Sequence, residues 1–254
     1  MPRQPGRATQ SRKEALILAV ADPNVTVHDL SKRYKVSLST IRRDLAALEE
    51  SGEVVRTYGG ALRGSRTEPT WHAKELTNQL DKDLMAQVAA SRVQPSDVVL
   101  MDAGTSVARV AHLISFMRDI TIITNGLSTI LELADSKVDL QILPGRLRRP
   151  NEAILGAATD NAVRNLTPDI AFLGADFIDP IRGINCPDIE QAALKKAMAE
   201  CARNTWVLAD ASKFAGQPKF AYWTPLPSTV GLITTASPND VKAFREEFSS
   251  ILFA

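Results

Sequence analysis

The sequence predicts a two-domain α/β protein, in which a small helical module precedes a larger domain built on a parallel sheet. Three observations support this prediction. Residues 12–50 show helical periodicity punctuated by capping residues. From about residue 81, apolar runs of strand length alternate with helical stretches. Between them, residues 63–70 contain Gly, Ser and Pro without apolar periodicity, a composition typical of linkers.

The composition is that of a globular chain that can bury its own core. Of the 254 residues, 44% are hydrophobic and 23% are charged, with a formal net charge of +1. This balance argues against an intrinsically disordered chain. Two cysteines cannot form a disulfide framework, and no apolar run is long enough to span a membrane. The basic, polar start is unlike a secretory signal, and we expect a cytoplasmic protein without membrane attachment.

The small net charge conceals an asymmetry between the two parts of the chain. The first 70 residues contain 12 basic and 8 acidic side chains, whereas the remainder is slightly acidic. A basic module joined to an acidic domain suggests that only the first part of the chain binds a polyanion.

The first module is predicted to contain three helices. Residues 12–21 form the first helix. Thr26 is the expected N-cap of the second, where Asp29 can support the free N–H groups of the first turn. Ser37 is the expected N-cap of the third, which covers residues 38–50.

The third helix carries polar side chains on the face opposite its apolar stripe. Ser39, Thr40, Arg42 and Arg43 occupy its first two turns. This arrangement is typical of a helix-turn-helix, whose second helix presents N-terminal side chains to base edges and phosphates. The alternative is an ordinary three-helix domain with a solvated basic face.

A basic hairpin is predicted directly after this helix. Residues 53–58 form a strand that contains Arg56 and Tyr58, the turn is Gly59-Gly60, and residues 61–63 form the return strand. Such a hairpin is the wing of a winged helix-turn-helix. We expect its basic residues to contact the DNA backbone. The residues expected to bind DNA are therefore Thr26, Ser37, Ser39, Thr40, Arg42, Arg43, Arg56, Tyr58, Gly59 and Gly60.

Four segments follow from these predictions. They are a flexible N-terminal arm at residues 1–11, the winged helix-turn-helix domain at 12–64, a linker at 65–80 and the second domain at 81–254. The second domain contains six apolar runs predicted to form a mostly parallel sheet. The runs are 97–101, 120–124, 138–143, 170–174, 205–209 and 230–234.

Polar residues follow five of these strands, at the sheet edge where α/β domains bind ligands. Asp102, Gly104, Thr105 and Ser106 follow the first strand at the start of a helix, an arrangement that can cradle a phosphate. The other strand ends supply Thr124, Asn125, Arg146, Asp176, Asp210 and Lys213. Carboxylates and Asn suit sugar hydroxyls, while Lys and Arg suit a phosphate. Each residue could instead serve locally as a cap or as a solvated charge.

No metal, cofactor or catalytic residue is predicted. His28, His72 and His112 are scattered along the chain, and Cys186 and Cys201 have no Cys or His close to them. This spacing does not match a zinc site.

Motifs in both parts of the chain resemble those of the DeoR family of bacterial transcriptional regulators. In the first part, residues 36–45 and 56–61 are similar to the family pattern V-S-x-x-T-I-R-R-D-L, ending in R-x-x-G-G-A. In the second part the resemblance rests on Asp102-x-Gly104-Thr105-Ser106, Thr124-Asn125, Gly174-Ala175-Asp176, Gly183-Ile184, Glu190 with Lys195 and Met198, and Ala209-Asp210-x-Ser212-Lys213-Phe214.

The resemblance implies a repressor whose second domain has a fold similar to ribose 5-phosphate isomerase. It also implies double-stranded operator DNA as a partner, a phosphorylated sugar or related effector, and a homo-dimer or homo-tetramer. Glu190 joins the expected effector-binding residues on this basis.

The sequence departs from the family pattern at two places. Pro144-Gly145 stands where Gly-Gly is common, and Phe177 stands where Gly is common, so that an aromatic ring is expected to narrow the pocket. In the isomerases a Lys and a run of glycines follow the corresponding strand, but this chain has Asn185 at the place of the Lys. We therefore expect binding without turnover. The alternative is an isomerase-like enzyme with an appended DNA-binding domain.

Overall fold

The computed structural model describes residues 15–16, 19, 25–50, 55–57, 60–62, 68–215, 218, 220–244 and 246–254. The chain divides into two compact units, Met1–Ala73 and Lys74–Ala254. The N-terminal arm predicted at residues 1–11 lies outside the described residues.

The first unit has the elements of a winged helix-turn-helix. These are α1 (Val27–Tyr34), α2 (Leu38–Glu50), β1 (Val55–Thr57) and β2 (Gly60–Leu62), and residues 15, 16 and 19 are also helical. The two strands pair antiparallel, with Arg56 opposite Ala61. A small apolar core is formed by Leu16, Ala19, Leu30, Ile41, Leu45 and Leu48.

Both predicted N-caps of the first unit are confirmed. The Asp29 amide donates to Thr26 Oγ1 at 3.3 Å, and the Thr26 amide donates to Asp29 Oδ2 at 3.0 Å, forming a reciprocal capping box. The Thr40 amide donates to Ser37 Oγ at 3.1 Å. Between the helices, Lys35 has a φ of 51°, in the left-handed region, and this conformation makes the tight turn of the motif.

The second unit contains one large and two small sheets. Its strands are β3 (Val98–Met101), β4 (Thr121–Thr124), β5 (Asp139–Ile142), β6 (Arg146–Arg148), β7 (Ala153–Leu155), β8 (Ile170–Gly174), β9 (Ile178–Asp179), β10 (Gly183–Cys186), β11 (Asn204–Leu208), β12 (Tyr222–Thr224), β13 (Gly231–Thr234) and β14 (Ser250–Phe253). The large sheet has the order β14-β13-β11-β8-β3-β4-β5, and all neighbouring strands are parallel. It contains all six predicted strands and adds β14 at one edge.

Helices cover both faces of this sheet. The helices described in this unit are α4 (Gln79–Ala90), α5 (Thr105–Ile114), α6 (Leu127–Leu133), α7 (Ala157–Arg164) and α8 (Ile189–Cys201), with 3-10 turns at Ala211–Lys213 and Lys242–Phe244. A short helix, α3 (Trp71–Glu75), precedes them and contains the boundary between the two units. Successive residues of β3 belong to different cores, because side chains alternate across a strand. Val99 packs in the core with Met85 and Val107. Leu100 packs in the other core, with residues of α7 and α8.

Two smaller antiparallel sheets complete the unit: β12-β10-β9 has three strands, and β6-β7 is a hairpin. The segment predicted as a linker, residues 65–80, contains α3 and the start of α4. The described part of this segment is therefore partly helical, and its residues from Lys74 onward belong to the second unit.

Candidate functional site

The first turns of α2 present short hydroxyl groups and arginines on an exposed face. Ser37 Oγ lies 2.7 Å from Ser39 Oγ and 2.8 Å from Thr40 Oγ1. Arg42 and Arg43 are exposed, while Ile41 and Leu45 on the opposite face are buried. The predicted division of this helix into a core face and a polar face is therefore confirmed.

The other residues predicted to contact DNA lie in different parts of the first unit, and two of them are outside the described residues. Thr26 is occupied in the capping box of α1. Arg56 and Gly60 lie in the paired strands of the hairpin. Tyr58 and Gly59 lie outside the described residues.

A cleft opens in the second unit, beyond the carboxyl ends of β3 and β8. Most of the residues that line it have polar side chains, and they come from several separate segments of this unit. The lining residues are Lys74, Thr77, Lys82, Ala103, Gly104, Thr105, Ser106, Asn151, Gly174, Ala175, Asp176, Asn185, Gln191, Lys195 and Lys213. Four lysines thus face one space together with a single lining carboxylate, that of Asp176.

The start of α5 forms one wall of the cleft. Gly104 is the N-cap, and no side chain caps the first-turn N–H groups. A Cβ atom at Gly104 would meet nothing within 4 Å, so the backbone here borders open space. An uncapped helix N-terminus of this kind favours an anion, and the hydroxyl groups of Thr105 and Ser106 stand beside it.

Residues just before and within α4 form a second wall. Lys74 Nζ lies 2.8 Å from Asp176 Oδ1, and Thr77 Oγ1 donates to the Lys74 carbonyl oxygen at 2.9 Å. Lys82 Nζ donates to that same carbonyl oxygen. The side-chain amide of Asn78 donates to Asp210 Oδ1 at 2.9 Å, and so connects this wall to the loop that carries Lys213.

The pKa of Lys82 is lowered to about 8, and burial is the main cause. The charges of Glu75 and Asp210 oppose the shift, while those of Lys213 and Arg109 contribute to it. Burial also disfavours the ionised form of Asp176, but Lys74, with Lys213 and Lys195, holds the pKa of its carboxyl below the usual value. The cleft therefore favours negative charge within it.

A buried ion pair lies at the base of the cleft. Lys195 Nζ donates to Asp102 Oδ2, and it also donates to the Gly174 carbonyl oxygen at 2.8 Å. The Gly174 amide donates to Asp102 Oδ2 at 3.1 Å. Burial opposes the charge on Lys195, but Asp102 raises the pKa of its ammonium above the usual value. This pair connects α8 with β3 and β8.

The structure brings together five of the residues predicted to bind an effector and places two more directly behind them. Gly104, Thr105, Ser106, Asp176 and Lys213 line the cleft. Asp102 holds Lys195, and Asp210 lies 3.6 Å from Lys213 Nζ and accepts from Asn78.

Four other predicted residues do not line the cleft. Thr124 Oγ1 donates to the Met101 carbonyl oxygen at 2.8 Å, and the side chain of Asn125 donates to the Ile154 carbonyl oxygen at 3.2 Å. Their buried polar groups hold neighbouring backbone. Arg146 and Glu190 are exposed and form an ion pair with each other, which occupies both charges.

Several lining residues were missed by the sequence analysis because they do not follow a strand. Lys82 had a usable signal, since it lies on the buried face of α4 with Met85, Ala86 and Ala89. A lysine on an apolar helix face needs a polar partner or a function. No sequence pattern indicated Lys74 and Thr77 as lining residues, because they lie in the segment predicted to be a linker.

Two expectations about individual side chains can be compared with the structure. The side chain of Asn185 lines the cleft but is fully used, since it donates to the carbonyl oxygens of Phe220 and Tyr222 and accepts from the Phe220 amide. Phe177 does not narrow the cleft as expected. Its ring packs against Trp223, with centroids 6.3 Å apart, and Phe177 is not a lining residue.

Among the described residues, no group of three or more His, Cys, Asp or Glu side chains is placed to hold a metal ion. No described helix is both long and apolar enough to cross a membrane.

Comparison with known proteins gives matches along both units. The model of the DeoR-like helix-turn-helix domain matches residues 12–67, and that of the DeoR C terminal sensor domain matches residues 77–235. The HTH-type transcriptional regulator GlpR of Haloferax volcanii is 31% identical, over 94% of each chain. The glycerol-3-phosphate regulon repressor of Escherichia coli strain K12 is 29% identical, over 82% of this chain and 83% of its own.

A solved structure, ribose 5-phosphate isomerase A from Methanocaldococcus jannaschii, is similar to part of the chain. The likeness covers 54% of this chain and 55% of the isomerase, with a TM-score of 0.40 and 18% identity. A partial likeness at this identity does not bear on activity.

Proposed function

Since the chain belongs to the DeoR family of transcriptional regulators, we propose that it is a repressor that binds operator DNA and responds to a phosphorylated sugar or polyol. The first unit binds the DNA, and the cleft of the second unit binds the effector. Effector binding changes the affinity for DNA, which requires that the effector bind the DNA-competent and DNA-incompetent states with different affinities.

The DNA-binding part of the proposal rests on α2 and its surroundings. Ser37, Ser39, Thr40, Arg42 and Arg43 form the surface that enters the major groove. Hydroxyl and guanidinium groups at the start of a recognition helix suit both base edges and phosphates. The hairpin that carries Arg56 and the Gly59-Gly60 turn contacts the DNA backbone. Operators of this kind contain two half-sites, and we expect a homo-dimer or homo-tetramer.

The effector-binding part of the proposal is carried by one observation: the cleft is lined both by an uncapped helix N-terminus and by Lys82, a lysine with no carboxylate at ion-pair distance among the described residues. A phosphoryl group supplies two negative charges and several acceptor oxygens, which this arrangement satisfies. Asp176 is then available for a sugar hydroxyl.

Turnover is not part of this function. Proton transfer between adjacent carbons needs a base and a cation to stabilise the enediolate. Asn185, at the place of the isomerase Lys, carries no charge, and its amide is committed to the Phe220–Tyr222 segment. The relatives that match over most of their length are regulators.

A thermal-shift experiment tests the effector site. We expect a phosphorylated sugar or polyol to raise the melting temperature of the purified chain, and the unphosphorylated parent compound to give no shift, because a ligand stabilises the state that it binds. Lys213→Ala removes one cation of the cleft and should reduce the shift strongly. Lys137→Ala is the matched control, since Lys137 is exposed and does not line the cleft.

The same proteins then enter an operator-binding assay with duplex DNA selected from a random-sequence library. The phosphorylated compound should change the affinity of the unmodified chain and of Lys137→Ala for this DNA, but not that of Lys213→Ala. A Lys213→Ala protein that responds fully would remove this cleft from the proposal.

A further inference from the structure

We propose that Gln191 recognises hydroxyl groups of the phosphorylated ligand, and that it thereby determines which phosphorylated compounds the cleft accepts. This inference rests on the proposed function, because it assigns one end of the same ligand to one wall of the same cleft. Gln191 was not among the residues that the sequence pattern indicated.

Gln191 is held in place by the start of its helix. Asp188, the N-cap of α8, accepts hydrogen bonds from the amides of Glu190 at 2.9 Å and Gln191 at 3.2 Å. The Gln191 residue is only 3% exposed and lines the cleft. These hydrogen bonds fix the position of the Gln191 backbone, and with it the place from which the side chain extends.

The side-chain oxygen of Gln191 lacks a partner. Within the described residues, Oε1 is buried and accepts no hydrogen bond. A buried acceptor without a donor costs free energy, and native proteins rarely leave one unless a ligand, ion or water satisfies it. Since Gln191 lines the cleft, a donor carried by the ligand fits the requirement.

The missing donor is a hydroxyl group rather than the phosphoryl group. A phosphoryl dianion offers only acceptor oxygens, which Gln191 Oε1 repels. The nearest cation on the same helix face is Lys195, four residues later, and its charge is already compensated by Asp102. The wall formed by α8 therefore presents no net positive charge for a phosphate.

The phosphoryl group belongs instead at Lys82 and the start of α5, with Lys213, whose Nζ lies 3.6 Å from Asp210 Oδ2, beside them. Lys82 donates to a neutral carbonyl oxygen, and within the described part of the chain no carboxylate lies at ion-pair distance from it. Because the positive charge of Lys82 is not compensated by a carboxylate, it attracts a phosphoryl dianion. The cleft is thus divided into a cationic wall and an amide wall.

Asn151 adds a second amide to the cleft lining. It is also 3% exposed. The third lining amide, Asn185, already donates both of its N–H groups to the carbonyl oxygens of Phe220 and Tyr222 and accepts from the Phe220 amide. The two remaining amides, with Asp176, suit a ligand that carries several hydroxyl groups besides its phosphate.

The test measures selectivity between ligands that differ only in hydroxyl groups. Glycerol 3-phosphate and propyl phosphate have the same carbon chain and the same phosphoryl group. Ribose 5-phosphate and sorbitol 6-phosphate extend the comparison to longer compounds. Calorimetric titration of the full chain gives the Kd for each, and the ratio of the propyl phosphate Kd to the Kd of the best hydroxylated phosphate is the selectivity.

The substitution is Gln191→Met, which keeps the length of the side chain and removes the amide. We expect the selectivity of the unmodified chain to exceed ten, and Gln191→Met to reduce it by about tenfold, the effect of one lost hydrogen bond. Gln87→Met, at an exposed position of α4 outside the cleft, should leave the selectivity unchanged. Gln191→Leu repeats the test should Gln191→Met fold poorly.

Three results would overturn the inference or its basis, and they can be distinguished. Equal affinity of the unmodified chain for propyl phosphate and all hydroxylated phosphates means that the cleft does not recognise hydroxyl groups. Full selectivity in folded Gln191→Met and Gln191→Leu means that another residue does so. Binding of none of the four compounds to the unmodified chain overturns the proposed function itself.

Discussion

Lys82 is a buried lysine, and the burial of its ammonium group costs free energy in the absence of a paired anion. Its relative exposure is 3%, and burial is the main cause of its lowered pKa. A protein keeps such a group when a ligand compensates the charge, which is why perturbed lysines cluster in binding sites. The proposed phosphoryl group would give Lys82 an anionic partner, whereas in the described structure its ammonium group donates only to the neutral carbonyl oxygen of Lys74.

The affinity for a phosphorylated compound should therefore depend on pH around the pKa of Lys82. Folding lowers this pKa from 10.5 to about 8, so the free protein loses the proton as the pH rises through 8, and a bound dianion favours the protonated form. We expect the affinity to fall between pH 7 and 9, where a phosphate monoester is already fully ionised.

Titration calorimetry at several pH values measures this effect. Lys82→Met should bind more weakly and show a flatter profile over the same range, because the titrating group is gone. The charged groups that face Lys82 are Glu75, Asp210, Lys213 and Arg109, and all four are retained in Lys82→Met. An identical pH profile in Lys82→Met would contradict the assignment.

The Asp102–Lys195 ion pair is a second buried charged group of the cleft. Unlike Lys82, each of its members is compensated by the charge of the other. The side chains are 2% and 5% exposed, respectively. Removing one member leaves the other as an uncompensated buried charge, which costs about 3–5 kcal/mol. We expect Lys195→Met to lower the free energy of unfolding by this amount in urea denaturation.

The double variant Lys195→Met/Asp102→Asn should be less destabilised than the sum of the two single variants, because no buried charge remains in it. Simple additivity in this cycle would mean that the two side chains do not stabilise each other.

At the scale of elements, one face of α2 packs in the core of the first unit and the opposite face carries the proposed DNA contacts. The exposed arginines can therefore be substituted without changing the core. Arg43→Ala should weaken operator binding by about 1–3 kcal/mol and reduce the slope of log K against log salt by about one, since one phosphate or base contact is lost. Fluorescence anisotropy at several salt concentrations gives both quantities.

Arg118→Ala provides the control for Arg43→Ala. It removes the same charge from an exposed position of the second unit. Unchanged affinity and salt dependence in Arg43→Ala would place Arg43 outside the DNA interface.

The central strands were predictable because each is a continuous apolar run, which a strand buried on both faces requires. The antiparallel strand β12 was not predictable, because its pairing with β10 joins residues 36 to 40 positions apart, such as Ile184 and Thr224. Local patterns do not contain such pairings. The same holds for the cleft: strand ends indicated Gly104, Asp176 and Lys213, whereas Lys82 and Gln191 come from helices.

At the scale of the whole molecule, the chain passes from the first unit to the second at Ala73–Lys74. The sequence placed this boundary inside a linker at residues 65–80. The structure instead gives the latter part of that segment to the cleft, because Lys74 and Thr77 line it and Asn78 donates to Asp210. The residues that join the two units along the chain thus include part of the ligand site.

This overlap restricts how the two modules can be recombined, in evolution or by engineering. A chimaera that takes its DNA-binding module from another regulator and is joined after residue 80 would replace Lys74, Thr77 and Asn78 with foreign residues. We then expect the ligand preference of the chimaera to depend partly on the regulator that supplied the DNA-binding module. A junction placed before Lys74 transfers operator choice alone and leaves the lining of the cleft intact.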